Sequence, residues 1–387
     1  MYYYPTKHIN TAERIELMAG SHIAITNGVV FTGDALISDH TVLLKGTEIV
    51  GVVATAEIPA DAEIVDAMGG YVVPGFVDLQ IYGGGSRLFS ADPTKAALDE
   101  IAGALVKSGT TSFMITMATN TMEVIDEALQ ALHDYHHPAL LGLHLEGPYL
   151  NPEKRGAHPE AYIRRPEKSE ISSLLERAGT SLRMMTIAPE QFDDDIIDLL
   201  LHHGILLSAG HSNATFDEAV RGFQKGIRAV THLFNAMSPF HHRNTGLPGA
   251  TFQSGTARAS IIADGIHVDY QTLAISKRLL GDRLFLITDA VVAVDTGTYT
   301  HIFTGDRYTL PDGTLSGSAL TMMQAVANCV RHAGIPLEEV LRMATSYPAS
   351  LIGARHLGRI AAGATADLVI FDENYTVRGV FLEGTSQ

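Results

Sequence analysis

Four side chains that are costly to bury fall at the same point of a repeating pattern. Glu146 closes the apolar run LLGLHLE, His211 follows ILLSAG, His232 follows AVT, and Asp289 follows RLFLIT. A carboxylate or imidazole withdrawn from water needs a partner or a metal ion. Glu146, His211 and His232 offer one oxygen and two nitrogens, the three-ligand set that leaves a catalytic zinc ion an open position for water. Iron, manganese or cobalt would accept the same donors, so the set argues for a single divalent metal with zinc as the first choice. Asp289 ends the last apolar run of the series. There a carboxylate can take a proton as water attacks and hand it to a leaving nitrogen.

Each of these residues also has a plainer reading. A histidine in SAGHSN can be a hydrogen-bonded loop residue, and an aspartate after a strand can cap the next helix. The positions argue otherwise jointly, because further polar residues repeat the pattern: Asp78 and Gln80 end the first run, His144 precedes Glu146, and Asp264 with His267 ends the seventh. After His232, the loop HLFNAMSPFHHRNTGLPG carries His241, His242 and Arg243. It makes a local basic patch suited to a phosphate through the arginine fork, with an ordinary solvated loop as the alternative.

To bring these residues together, the strands must share one mouth. From Pro74 onward, eight apolar strands alternate with helical text: VVPGFVDLQ, TSFMIT, LLGLHLEG, LRMMTIAP, ILLSAGHS, AVTHLFN, ARASIIADG and RLFLITDA. Eight such units predict an α/β fold, a TIM-like (β/α)8 barrel whose chemistry sits at the carboxyl ends of the strands. Residues 21–73 read instead as short strands broken by Asn-Gly, Lys-Gly and Gly-Gly turns, and residues 354–387 return to that style. The expected organisation is an extension over residues 1–20, a barrel over 74–353, and a second, small β-sandwich domain built from both chain ends, 21–73 and 354–387.

Composition narrows the partners. The 387 residues are 46% hydrophobic, enough for a large core, and 27 Lys+Arg against 43 Asp+Glu give a net charge of −16. Such a chain does not present a general surface for nucleic acid or an anionic membrane, so an anionic substrate must meet a local cluster. A lone cysteine, Cys329, excludes an intrachain disulfide and suits a reducing compartment. With no apolar run of ~20 residues and no apolar centre in the first twenty, a cytoplasmic location is expected.

The motifs VVPGFVDLQ, HLEGPYLNPEKRGAH, AGHSNAT, THLFNAM, ADGIHV and TSYPASLIG...LGRIAAGATADLVIF together resemble the amidohydrolase superfamily and, within it, the N-acetylglucosamine-6-phosphate deacetylases. HLEGP, GHSNAT and THLFNAM carry the narrower resemblance; PGFVD and GATADLV mark only the superfamily. The resemblance implies hydrolysis of the acetamide of N-acetyl-D-glucosamine 6-phosphate, in amino-sugar catabolism. It places the metal on Glu146, His211 and His232 and the catalytic aspartate on Asp289. It further implies that His158 polarises the acetyl carbonyl and Ala157 lies in the substrate site. Asn235, Ala236, Arg243 and His267 would hold the sugar phosphate, and Leu315, Ser316 and Gly317 would lie against it. Some phosphate contacts would come from across a homodimer. Alternatives are another amidohydrolase, acting on a related acetylated sugar or a cyclic amide, and a catalytically silent sugar-phosphate sensor. One departure stands out: where most amidohydrolases place His-x-His for a second metal, this chain has Gln80-Ile81-Tyr82, and the TIAPE strand end lacks a bridging lysine. A single-metal site is therefore expected, with the role of Tyr82 left open.

Overall fold

The computed structural model describes residues 22–387; the extension expected over residues 1–20 lies outside them. Eight parallel strands form one sheet in chain order: β1 (Phe76–Ile81), β2 (Thr110–Ala118), β3 (Leu140–Glu146), β4 (Leu182–Ile187), β5 (Leu206–Ala209), β6 (Ala229–Val230), β7 (Arg258–Ile262) and β8 (Leu284–Ile287). The first and last are drawn together past their ladders, where Asp289 N–H donates to the Gln80 carbonyl (3.0 Å) and Tyr82 N–H to that of Ala290 (3.0 Å). The sheet is thus a nearly closed barrel of eight parallel strands, as the sequence pattern predicts. Helices return the chain between strands, and their boundaries are written locally. Thr215 and Glu218 form a capping box at the start of Phe216–Lys225, which Gly226 ends at φ 119°, a conformation that suits glycine.

Two strands differ from the sequence reading. The run VVPGFVDLQ is cut at Gly75, and Tyr71–Pro74 joins a different sheet. Proline supplies no ladder donor, and a Cβ at Gly75 would lie 1.8 Å from Thr111 Oγ1, so only glycine fits there. The run AVTHLFN yields only two ladder residues, because the chain turns away at His232 (φ 35°). Apolar content alone does not show where a barrel strand stops.

Beneath the mouth, the barrel interior is polar but satisfied. His144 Nε2 meets Thr186 Oγ1 at 2.7 Å, Thr186 Oγ1 meets Thr231 Oγ1 at 2.8 Å, and Ser208 Oγ meets the same threonine at 2.6 Å. Burial pushes His144 down to about 4, so it stays neutral here as a structural member of the barrel.

The chain divides into two compact units, Asp78–Ala104 with Phe113–Thr321, and a second made of residues up to Val77, Leu105–Ser112 and Met322–Gln387. In the second, strands from both chain ends pair in one sheet: Thr385–Ser386, Val377–Leu382, Leu368–Phe371, Tyr71–Pro74, His22–Phe31, Leu36–Lys45 and Glu48–Ala54, with Glu63–Asp66 beside His22–Phe31. Its core packs Ile25, Val30, Leu44, Ile49, Val72, Leu368 and Phe381. Cys329 is buried on the helix Met322–Arg331. Among the described residues, no helix is long and apolar enough to cross a membrane.

Asp367 gives this unit a pH signature. Burial pushes its carboxyl up to about 7, against the hydrogen bond from Glu383 N–H. A folded-state pKa above the unfolded one means the folded protein holds the proton more tightly. The resulting stability is present below pH about 4 and is lost as pH rises through about 7; it amounts to at most about 4 kcal/mol. Asp367→Asn should therefore flatten the decline in melting temperature between pH 4 and 7. Equal declines in variant and parent would show that Asp367 does not titrate there.

Candidate active site

Each chemistry-bearing residue marks the point where a strand ends. Glu146 is the last residue of β3, and Gly147 follows at φ 83°, where a Cβ would lie 2.1 Å from Thr119 Oγ1. His211, His232 and Asp289 each stand two residues beyond β5, β6 and β8, and each takes a left-handed φ of 46°, 35° and 56°. That conformation costs a non-glycine residue about 1–2 kcal/mol. Such strain persists where the surroundings over-determine it, most often at functional sites. Here it releases three side chains from the in-and-out alternation of a strand.

The three expected ligands converge. His232 Nε2 lies 3.2 Å and His211 Nε2 3.4 Å from Glu146 Oε1, and the two nitrogens are 3.1 Å apart. Those edges match the ~3.3 Å separation of neighbouring ligands in a tetrahedral site with bonds of about 2.0–2.1 Å. His211 donates from Nδ1 to the Lys154 carbonyl (2.9 Å). In its neutral form it therefore turns a lone pair toward Glu146, an opposition of electron-rich atoms that a cation resolves. His232 Nδ1 is buried without a hydrogen-bond partner among the described residues; its backbone is held by Ser260 Oγ (2.8 Å).

His158 also brings a nitrogen within 4.8 Å of ligand atoms of Glu146 and His211. It differs in its hydrogen bonding. Its Nδ1 meets Thr119 Oγ1 (2.8 Å) and Thr119 N–H (3.3 Å), and its Nε2 faces the carboxylate oxygen Glu146 Oε2 at 3.3 Å, a contact that a protonated Nε2 satisfies. His158 is thus arranged as a donor.

Burial alone would raise Glu146, but the imidazoles of His211, His158 and His232 set around it hold it well below the usual carboxylate range. It stays an anion, as a ligand must. Burial pushes Asp289 up to about 8; His232 opposes this, while Glu146 and Asp78 add to it. The amide nitrogen of Gln80 lies 2.8 Å from Asp289 Oδ1 and 3.1 Å from Glu146 Oε1. Asp78, buried one residue pair deeper, accepts from Thr288 Oγ1 (2.5 Å) and so anchors the residue before Asp289.

A cavity of about 240 Å³ opens over this group. Its walls include His158, expected as a catalytic residue, and Ala157, Asn235, Ala236, His267, Leu315, Ser316 and Gly317, each expected in the substrate site. Asp264 Oδ2 accepts from His267 Nδ1 (2.6 Å), and Asp264 Oδ1 takes the backbone N–H of Ile266 and His267, fixing the imidazole at the rim. Arg243 is not among the lining residues; it stands exposed on its loop beside His241 and His242.

The cavity also holds Tyr82, whose role the sequence reading left open, and two residues that it passed over, Tyr299 and His301. Tyr299 and His301 stack with ring centroids 5.7 Å apart and an interplanar angle of 9°. Tyr299 donates to the Thr119 carbonyl (2.6 Å), and His301 Nδ1 meets Ser316 Oγ at 2.9 Å. Their only signal in the sequence is the i, i+2 spacing in TYTH, which turns both toward one side of an extended chain. Glu190, from the TIAPE segment, is a second omission. It accepts from Asn151 Nδ2 (2.9 Å), Ser212 Oγ (2.6 Å) and Asn213 N–H (2.6 Å), pinning the loop that presents His211.

Comparison with known proteins places nearly the whole described chain in a family. The amidohydrolase family model matches residues 71–386, and the NagA composite domain matches residues 23–72. The N-acetylglucosamine-6-phosphate deacetylase of Haemophilus influenzae is 35% identical over 93% of this chain and 98% of that protein. An N-acetylgalactosamine-6-phosphate deacetylase from Shewanella sp. is 35% identical over 85% of this chain and 86% of its own length. The crystal structure of N-acetylglucosamine-6-phosphate deacetylase from Pasteurella multocida superposes with a TM-score of 0.91 at 35% identity, covering 95% of this chain and 99% of that one. A variant of the Mycobacterium smegmatis deacetylase, in complex with N-acetyl-D-glucosamine-6-phosphate, superposes with a TM-score of 0.87 at 29% identity, covering 95% and 99%. With matches of this extent over both units, the chain belongs to the amidohydrolase family, in the group of its N-acetylglucosamine-6-phosphate deacetylase relatives.

Proposed function

We propose that this chain is an enzyme that hydrolyses the acetamide of N-acetyl-D-glucosamine 6-phosphate to D-glucosamine 6-phosphate and acetate. The observation that carries the reading is the convergence of Glu146, His211 and His232 on one point, with the Asp289 carboxylate tethered beside it through Gln80. Those three residues would hold one divalent ion, with zinc favoured by the two borderline imidazole nitrogens beside one carboxylate oxygen. When bound, that ion supplies Lewis-acid polarisation of the acetyl carbonyl and lowers the pKa of water toward ~7.

The remaining steps belong to side chains. Asp289 accepts the proton of the attacking water and returns it to the nitrogen, which leaves only as an amine. His158, with its proton on Nε2, donates to the oxygen that gains charge in the tetrahedral intermediate, an effect usually worth about 3 kcal/mol per donor. His267 and the Asn235-Ala236 segment hold the sugar phosphate at the rim. Arg243, exposed outside the cavity, fits a phosphate bound in the other subunit of a homodimer. A reducing, cytoplasmic setting suits the lone buried Cys329.

Substrate comparison tests this reading. Acetate release should be roughly 10²-fold more efficient, as kcat/KM, from the 6-phosphate than from unphosphorylated N-acetylglucosamine, because the charged contacts are lost with the phosphate. Arg243→Ala should narrow that gap by raising KM for the phosphorylated sugar alone. The galactosamine epimer belongs in the same assay, since a relative of each name is 35% identical to this chain; the glucosamine form should react faster. Equal rates with and without phosphate would refute the substrate assignment. Binding of the sugar phosphate without acetate release would mark a sensor.

A further inference from the structure

The triplet Gln80-Ile81-Tyr82 turns positions 80 and 82 to the same side of the chain, into the barrel mouth. Both side chains meet the ligand carboxylate. The Gln80 amide nitrogen lies 3.1 Å from Glu146 Oε1 and 2.9 Å from the Tyr82 hydroxyl. The Tyr82 hydroxyl donates to the other oxygen, Glu146 Oε2, which also faces His158 Nε2 at 3.3 Å. The two oxygens of Glu146 are therefore given different work: Oε1 faces His211 and His232, and Oε2 is engaged by Tyr82 and His158. A carboxylate free to rotate about its last bond would exchange these oxygens or offer both. Tyr82 is buried at 7% exposure, and its ring packs with Leu88, Ala118, Val291 and Tyr299, so the hydroxyl is aimed by the surrounding core.

We infer that Tyr82 is a positioning residue for the metal ligand Glu146: its hydroxyl engages Oε2, leaves Oε1 to the cation, and so sets how tightly the ion is retained. The role is a ligand's outer hydrogen bond, the kind whose loss costs roughly 10–100-fold in metal affinity. The inference rests on the metal reading given above, and the two are separable by experiment.

Tyr82→Phe removes the hydroxyl and keeps the ring. Zinc affinity is measured on the purified chain by competition with a chromophoric chelator, together with the rate of zinc release, with no turnover involved. The dissociation constant should rise roughly 10–100-fold and release should quicken, while the metal-free forms of parent and variant melt alike. A merely structural role would lower the melting temperature of the metal-free form and leave affinity unchanged. Should Tyr82→Phe fail to fold, Tyr82→Met, apolar and flexible enough to fill the same space, gives the same readout. Parent and variant of equal affinity would overturn the inference alone. A parent that takes up no cation would overturn the metal reading and this inference with it.

Discussion

Asp289→Asn should lower kcat by roughly 10²–10⁴-fold, or about 3–5 kcal/mol of transition-state stabilisation, while leaving KM and metal content near the parent values. The size follows from the two duties of one carboxylate, which takes a proton from water and later delivers it to the amine. An amide oxygen can do neither. The substitution is also structurally mild. Asp289 sits at φ 56°, a conformation that asparagine tolerates as well as aspartate does. The Asn Oδ1 can still accept from Gln80, and the backbone N–H of residue 289 keeps its bond to the Gln80 carbonyl. A loss of activity therefore reports chemistry and not misfolding. Near-parent turnover in the asparagine variant, with metal bound, would remove Asp289 from the mechanism.

Removing the metal should have an effect at least as large. Prolonged dialysis against a strong chelator should abolish acetate release, and titration with zinc should restore it with a break at one equivalent per chain. Stability should move with it. A cation that binds only the folded chain adds RT ln(1 + [L]/Kd), about 4 kcal/mol at a thousandfold excess over Kd, so the melting temperature should climb with the logarithm of free zinc. The reason is local: Glu146 is 1% exposed and held as an anion, and a buried anion is costly without a positive partner. Full activity after chelation would contradict the metal reading. A break at two equivalents would contradict the single-metal reading drawn from Gln80 and Tyr82.

Much of this site is legible in the sequence because barrel topology turns spacing into position. Glu146, His211, His232 and Asp289 all end apolar runs, and a closed array of parallel strands brings such ends to one mouth. Strand lengths are less legible. The AVTHLFN run looks continuous, yet its ladder stops at Val230 because His232 takes a left-handed turn, which no hydrophobic pattern records. The VVPGFVDLQ run hides a change of sheet at a glycine whose missing side chain makes room for Thr111. Tyr299 and His301 lie in the segment after β8, where the i, i+2 spacing of TYTH is the only signal and does not say what the two side chains face. Their place in the cavity is fixed by long-range contacts to Thr119 and Ser316. The hydrogen bonds of Tyr82 likewise depend on Glu146, 64 residues away.

The most direct test is diffraction from crystals of the purified chain, with data collected on both sides of the zinc absorption edge. One anomalous peak is expected per subunit, at bonding distance, about 2.0–2.2 Å, from Glu146 Oε1, His211 Nε2 and His232 Nε2. Zinc-replete crystals without a peak there, or with a second peak coordinated beside Gln80 and Tyr82, would contradict a single ion held by these three side chains.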